Sequence, residues 1–244
     1  MFSRITKNLL MAATVLGYAS LASASPFEIK NPHTGFGNDD IFVNGLWRTI
    51  DIEIGGTAYT GFGAGLFKLE SLDTANPLAT WQPFVTFCIE IQADQFVSIP
   101  AIFTPQPLAD APRNATIAAR MGRLWTARSS VVDADSAAAF QLALWAIEAD
   151  DVADATLSNL LFTLNTSESA LNTKIGDYLA IARDGSIDPL VLTALANVDS
   201  QDYVVVMDGG GGFGGGPEDV PAPASLVLFG STLAALAVIR RRKS

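Results

Sequence analysis

Cysteine and histidine are almost missing from this chain: Cys88 and His33 stand alone among 244 residues. One cysteine excludes an internal disulfide, so stability has to come from core packing. A cysteine hydrolase needs a histidine beside its thiol, and His33 sits in a Gly/Pro-rich segment far from Cys88 in sequence. Zinc-ligand spacing and a nucleophile elbow are absent, and Gly209 to Gly216 lacks the lysine and following helix of a phosphate loop. Cations are scarce too, with 15 Lys and Arg against 25 Asp and Glu. Arg4, Lys7, Arg240, Arg241, Arg242 and Lys243 lie near the ends, leaving 9 basic against 25 acidic residues, a net of −16 with histidine neutral. That charge argues against nucleic acid and anionic lipid as partners and favours cations or amine-bearing ones. The acidic clusters Asn38-Asp39-Asp40, Asp133/Asp135 and Asp150/Asp151/Asp154 lack EF-hand or repeat-loop spacing, and solvated loop charge accounts for them. No metal site and no cofactor is expected.

What is present begins with two apolar ends. Arg4 and Lys7 precede an apolar stretch from Leu9 to Leu21, and Ala22-Ser23-Ala24 supplies small residues for cleavage. This is the layout of a secretory signal peptide over 1–24, with a mature chain from Ser25. At the other end Ala224 to Ile239 is an uncharged run of 16 residues. As helix it spans about 24 Å at ~1.5 Å per residue, short for a bilayer but sufficient with local thinning or snorkelling ends. Arg240, Arg241, Arg242 and Lys243 follow, and such a cluster stays cytoplasmic, which leaves the body outside. The expected layout is a signal peptide (1–24), an extracytoplasmic domain (25–207), a flexible Gly-rich linker (208–219) and a tail (220–244) with a transmembrane helix at 224–239.

Between the ends the hydrophobic period changes once. Residues 46–54 alternate, with Leu46, Ile50, Ile52 and Ile54 on one face. Gly55-Gly56 marks a turn, and 57–70 continue as a Gly-interrupted strand or hairpin. Residues 81–91 form the next strand, with Val85, Phe87, Ile89 and Ile91 on one face and Thr86, Cys88 and Glu90 on the other. Strands in direct succession imply antiparallel pairing. Past a Pro-rich loop (Pro100, Pro105, Pro107) the period becomes helical over 113–128 and 134–149. A third helix covers 168–183, with Ser167 as N-cap candidate and Leu171, Ile175, Tyr178 and Leu179 as its stripe. Asp188-Pro189 opens a short fourth helix, and Tyr203 to Met207 is a final strand. The expected class is α+β, an antiparallel β-sheet or barrel-like core with an Ala-rich helical subdomain.

Two segments carry resemblances. Val220-Pro221-Ala222-Pro223-Ala224-Ser225, then the apolar run and the basic cluster, resemble the PEP-CTERM sorting signal of Gram-negative bacteria. Ala222 stands where the family has Glu. The resemblance implies an exosortase-type processing enzyme as partner, transient anchoring in the inner membrane, and delivery to the cell surface or an exopolysaccharide biofilm matrix. In the body, Phe87-Cys88-Ile89-Glu90 and Phe140-Gln141-Leu142-Ala143-Leu144-Trp145 resemble the thioester domains of bacterial surface adhesins. That likeness implies an internal thioester, with Cys88 as thiol and Gln141 as acyl donor, which captures an amine or a polysaccharide hydroxyl on a partner. Such chemistry is single-use, so no catalytic residue in the turnover sense is implied. Some relatives carry an acid directly after the Trp, where this chain has Ala146, with Glu148 nearby.

The residues themselves bear on that pair. A thiol kept for packing belongs on the Phe87 face of its strand, and Cys88 takes the other. Gln141 falls on an apolar helical stripe with Leu144, Trp145, Ala137 and Ala138. An unpaired amide there costs about 1–3 kcal/mol, and condensation with Cys88 removes both of its N–H donors. Phe87, Phe140 and Trp145 would wall such a bond from water, and backbone N–H groups or the Thr86 hydroxyl would hold the oxyanion. The competing classes are a non-reactive or calcium-binding matrix module with the same tail, and a cysteine hydrolase using His33.

Overall fold

The computed structural model describes residues 25–31, 41–54, 57–90, 100–110, 113–149, 162–164, 169–207 and 213–214. The expected signal segment, His33, Asn38 to Asp40, Asp150 to Asp154, Ser167 and the whole of the expected sorting tail lie outside the described residues. The strands are β1 (Phe27–Lys30), β2 (Phe42–Ile54), β3 (Thr57–Asp73), β4 (Gln82–Cys88), β5 (Ala101–Pro107), β6 (Phe162–Leu164), β7 (Thr193–Ala196), β8 (Tyr203–Met207) and β9 (Phe213–Gly214). The α-helices are α1 (Ala115–Thr126), α2 (Ala134–Ala149) and α3 (Ser169–Arg183). Among the described residues no helix is long and apolar enough to cross a membrane.

Every strand pairing is antiparallel, and β1, β5, β7, β8, β4 and β3 close into a six-stranded barrel. Closure depends on the 17 residues of β3. Its first part pairs with β2 (Trp47↔Gly65), and its last part pairs with β1 (Ile29↔Ser71). Closure covers most strand edges and leaves the part of β5 that runs past the end of β1 unpaired on that side. Cross-strand partners share a face, so the register puts Phe67, Thr86, Cys88, Phe103, Leu195 and Tyr203 inside the barrel. The Tyr203 ring lies 5.7 Å from both Phe67 and Phe103.

Helices cover the other face of β4. Phe87 points outward from the barrel, yet it is buried against Phe140 (ring centroids 4.7 Å) and Trp125 (6.0 Å). Both faces of β4 are therefore apolar surroundings, which corrects the expectation that the Cys88 face differs from the packing face. Helix α2 is buried from Ser136 to Ile147 around its whole circumference, as a helix apolar on all sides requires. It packs on β2 and β3 on one side and on α1 and α3 on the other. Caps set the helix starts. Asn114 accepts the N–H groups of Thr116 and Ile117 for α1. Asp133 and Ser136 cap α2 reciprocally, Ser136 N–H to Asp133 Oδ1 at 2.6 Å and Asp133 N–H to Ser136 Oγ at 3.0 Å.

Three local expectations are corrected. Pro105 and Pro107 lie within β5, not in a loop. Leu108 donates its N–H to Leu192 on the β7 side, so by alternation the two prolines turn their missing N–H groups to the free edge beyond β1. No fourth helix follows Asp188-Pro189. Instead this segment lies against α1 where Gly122 has no Cβ, and Leu190 N–H donates to the Gly122 carbonyl at 3.3 Å. Finally, β4 stops at Cys88, and Ile89 and Glu90 continue without regular strand pairing.

Candidate functional site

Cys88 ends β4 and Gln141 lies midway along α2, and both are 0 % exposed. They meet through a reciprocal pair of hydrogen bonds. The Cys88 N–H donates to Gln141 Oε1 at 3.2 Å, and Gln141 Nε2 donates to the Cys88 carbonyl at 2.6 Å. The cause lies in β3, which runs beside β4 only as far as Phe67↔Thr86. Extending that register by two residues would set Gly65 against Cys88, but the ladder ends first, while on its other edge Gly65 pairs with Trp47 of β2. Gly65 has φ 156°, and a Cβ there would strike the Leu46 carbonyl oxygen and the Trp47 backbone, so this approach needs glycine. The polar groups of Cys88 on that edge thus lose a strand neighbour. The Gln141 amide carries a donor and an acceptor like a peptide group, and it takes the vacant ladder position.

This overturns the expectation that a free Gln141 amide would be orphaned on an apolar stripe. Its oxygen and its nitrogen are both paired, and they satisfy the Cys88 backbone in return. The pairing also places the Gln141 side-chain carbonyl at the residue that bears the thiol. The amide oxygen, which would carry negative charge during attack on that carbonyl, already accepts an N–H. The Thr86 hydroxyl is engaged elsewhere, donating to the Val204 carbonyl at 2.5 Å. Of the two groups expected to hold that oxygen, the backbone N–H of Cys88 donates to it and the Thr86 hydroxyl does not.

Trp145 follows Gln141 by one turn and packs edge-on against Phe62 at 5.5 Å. Its indole N–H approaches Cys88 closely enough to favour the thiolate, yet it makes no hydrogen bond of ordinary geometry with any described residue. Phe87 and Phe140 pair on the outward face of β4 and fix α2 against it. Burial pushes the Cys88 thiol far above its usual range. The contacts from Trp145 and from the backbone oppose that rise without reversing it, and the Glu90 charge adds to it. Burial also raises the phenol of Tyr203, the register partner of Cys88, and the charge at Cys88 adds to that rise.

A charged cluster borders the pair. The guanidinium of Arg113 is buried, with Nε at 3.0 Å from a carboxylate oxygen of Glu148, Nη1 at 3.1 Å from Asp202 and Nη2 at 3.7 Å from Glu90. Asp202 N–H donates to Glu90 Oε2 at 3.0 Å, the Asp202 carbonyl accepts the Ile89 N–H at 3.0 Å, and Gln201 Nε2 donates to the Glu90 carbonyl. Burial raises Glu90 and Glu148 above the usual carboxylate range, outweighing the attraction of Arg113.

No family model, curated protein or solved structure matches this chain.

Asp133 and Asp135 are committed elsewhere, Asp133 to the α2 cap and Asp135 to Arg48 at 2.6 Å. Among the described residues no group of three or more His, Cys, Asp or Glu side chains is arranged to hold a metal ion. The sequence reading missed the role of Arg113 and Asp202. Glu148 carried a usable signal, since it lies seven residues beyond Gln141 on the same helical stripe. Glu90 carried another, two residues beyond Cys88 on the same side of the strand. An acid on each buried face asks for a shared cation, but nothing local marks Arg113 as that cation.

Proposed function

We propose that this chain is an exported surface or matrix protein whose barrel domain forms an internal Cys88–Gln141 thioester and uses it to attach covalently to an amine or hydroxyl of a partner. The reciprocal Cys88–Gln141 pairing carries the reading, because it brings the Gln141 side chain to the backbone of the thiol-bearing residue, 53 residues away in sequence, with both residues fully buried. The Cys88 sulfur attacks Gln141 Cδ, and the Cys88 N–H stabilises the charge on Oε1. The S–C bond forms as the C–N bond breaks, and the thiol proton leaves with the nitrogen as ammonia. In capture, the partner's nucleophile adds to the same carbon, the C–S bond breaks, and Cys88 regains its proton. The partner is left joined to the Gln141 side chain through an amide or ester. The signal-like and PEP-CTERM-like ends support delivery outside the inner membrane, with an exosortase-type enzyme processing the tail, and the acidic body favours amine-bearing partners.

A second reading, a non-reactive matrix module with the same tail, is favoured by two observations. Gln141 is already satisfied as an amide, and burial keeps Cys88 protonated. Intact mass separates the two. The purified chain should weigh one ammonia less than its sequence, and both Cys88→Ala and Gln141→Ala should abolish the deficit. Full mass, with a thiol that alkylates once the chain is unfolded, would establish the non-reactive module instead.

A further inference from the structure

We infer that Arg113 is the positioning residue that sets the Cys88 strand end and the Gln141 helix in register for bond formation, an inference that rests on the thioester reading above. One buried guanidinium, 1 % exposed, reaches a carboxylate on each of the three backbone segments that frame the pair. Glu90 lies two residues beyond Cys88, just past the end of β4. Glu148 lies seven residues beyond Gln141, two turns along the same helical face. Asp202 adjoins Tyr203, the register partner of Cys88, and its carbonyl holds the Ile89 N–H. The hydrogen bonds of the Arg113 side chain go to Glu148 and Asp202 and none goes to Cys88 or Gln141, so it acts on the reaction only through where it holds these elements. Its planar fork matters because a lysine ammonium cannot direct separate donors along three fixed directions. A displacement of reacting atoms by ~1 Å costs about a hundredfold in rate.

The test follows ammonia loss from the refolded full-length chain by intact mass, across a range of pH, together with unfolding midpoints. Bond formation in the wild type should quicken as pH rises and the thiolate fraction of Cys88 grows. Arg113→Met should form the bond about a hundredfold more slowly, with the pH profile inverted. Glu90 and Glu148 can then sit together only when protonated, and at higher pH they and Asp202 repel one another with no cation between them. Arg113→Lys should recover part of the rate. A residue that merely stabilised the fold would lower the midpoint without inverting the profile.

If Arg113→Met does not fold, Glu148→Gln decides the matter. It loosens only the α2 arm of the clamp, and it should slow formation about tenfold, a change of ~1.4 kcal/mol in the barrier, without a fall in the midpoint. A wild-type rate and pH profile in whichever variant folds overturns the role of Arg113 alone. A wild-type chain that never loses ammonia overturns the thioester reading, and this role with it.

Discussion

Single side chains at this site hold each other in states that they would not adopt in water. Trp145 has an indole N–H that is buried, near Cys88 and without an ordinary acceptor among the described residues. A developing thiolate or a thioester sulfur would give it one. Trp145→Phe keeps a smaller ring against Phe62 and removes that donor, so thioester formation should slow by about a hundredfold, the usual effect of losing one aimed donor. Ammonia loss timed by mass spectrometry reads this directly, and an unchanged rate would show that the N–H plays no part. Acid–base behaviour follows from signs. Glu90 and Glu148 are raised above their ordinary value of 4.5, so their contribution to stability is complete below that value and is lost as pH rises through the folded values. Burial pushes Asp133 upward, but the hydrogen bonds from Ser136 prevail and its carboxyl ends below 3.8. Its contribution is therefore present above that value and lost as pH falls. Unfolding midpoints measured from acid to neutral pH should fall across the Glu90/Glu148 window, and Glu148→Gln should flatten that decline.

Elements meet at this site because one ladder ends short. The β3–β4 pairing stops at Phe67↔Thr86, which leaves the Cys88 edge to Gln141, and Gly65 lets β3 approach β2 closely on its other edge. Gly65→Ala should lower stability by about 1–3 kcal/mol through overpacking against Leu46 and Trp47, read as a shift in the urea midpoint at constant slope. Gln141→Leu tests the gap itself. It leaves the Cys88 N–H and carbonyl without a partner in a buried position, at a cost of about 1–3 kcal/mol for each group, even in a chain where no thioester forms. The helices and most strands were legible in advance because their periods are strong. Residues 134–149 read as helix and are helix, and Tyr203 to Met207 read as strand and are strand. What local pattern cannot carry is long-range closure. Nothing near Phe27 says that β1 meets both β3 and β5, and prolines in β5 look like a loop until the free edge beside them is known. The Cys88 and Gln141 positions were legible as a motif. Their hydrogen bonding was not, because it depends on the β3–β4 ladder ending at Phe67↔Thr86, a long-range pairing that no local pattern near Cys88 carries.

At the scale of the molecule, the same packing that would guard a thioester would also withhold it. Cys88 ends a strand of the closed barrel and Gln141 belongs to a helix buried on every side, and no partner reaches a carbonyl with no exposed surface. Capture would therefore need a local opening, and the border most able to open is the charged one. The Glu90 and Glu148 side chains are 32 % and 19 % exposed, while the opposite flank is aromatic and sealed. Opening there parts the ends of β4 and α2 without dismantling the barrel, which is the behaviour of a sub-global unit. If this is the route, methylamine should couple at a rate that rises with urea well below the unfolding midpoint. The rate should track hydrogen exchange at the Cys88 amide, because the bond between that N–H and Gln141 Oε1 must break in the same event. A lysine-bearing peptide should couple more slowly than methylamine in the absence of urea and approach it as opening becomes frequent. Coupling that is independent of urea and equal for both amines would mean that the carbonyl is reached without opening, and would place the access path through a region other than the Glu90–Glu148 border.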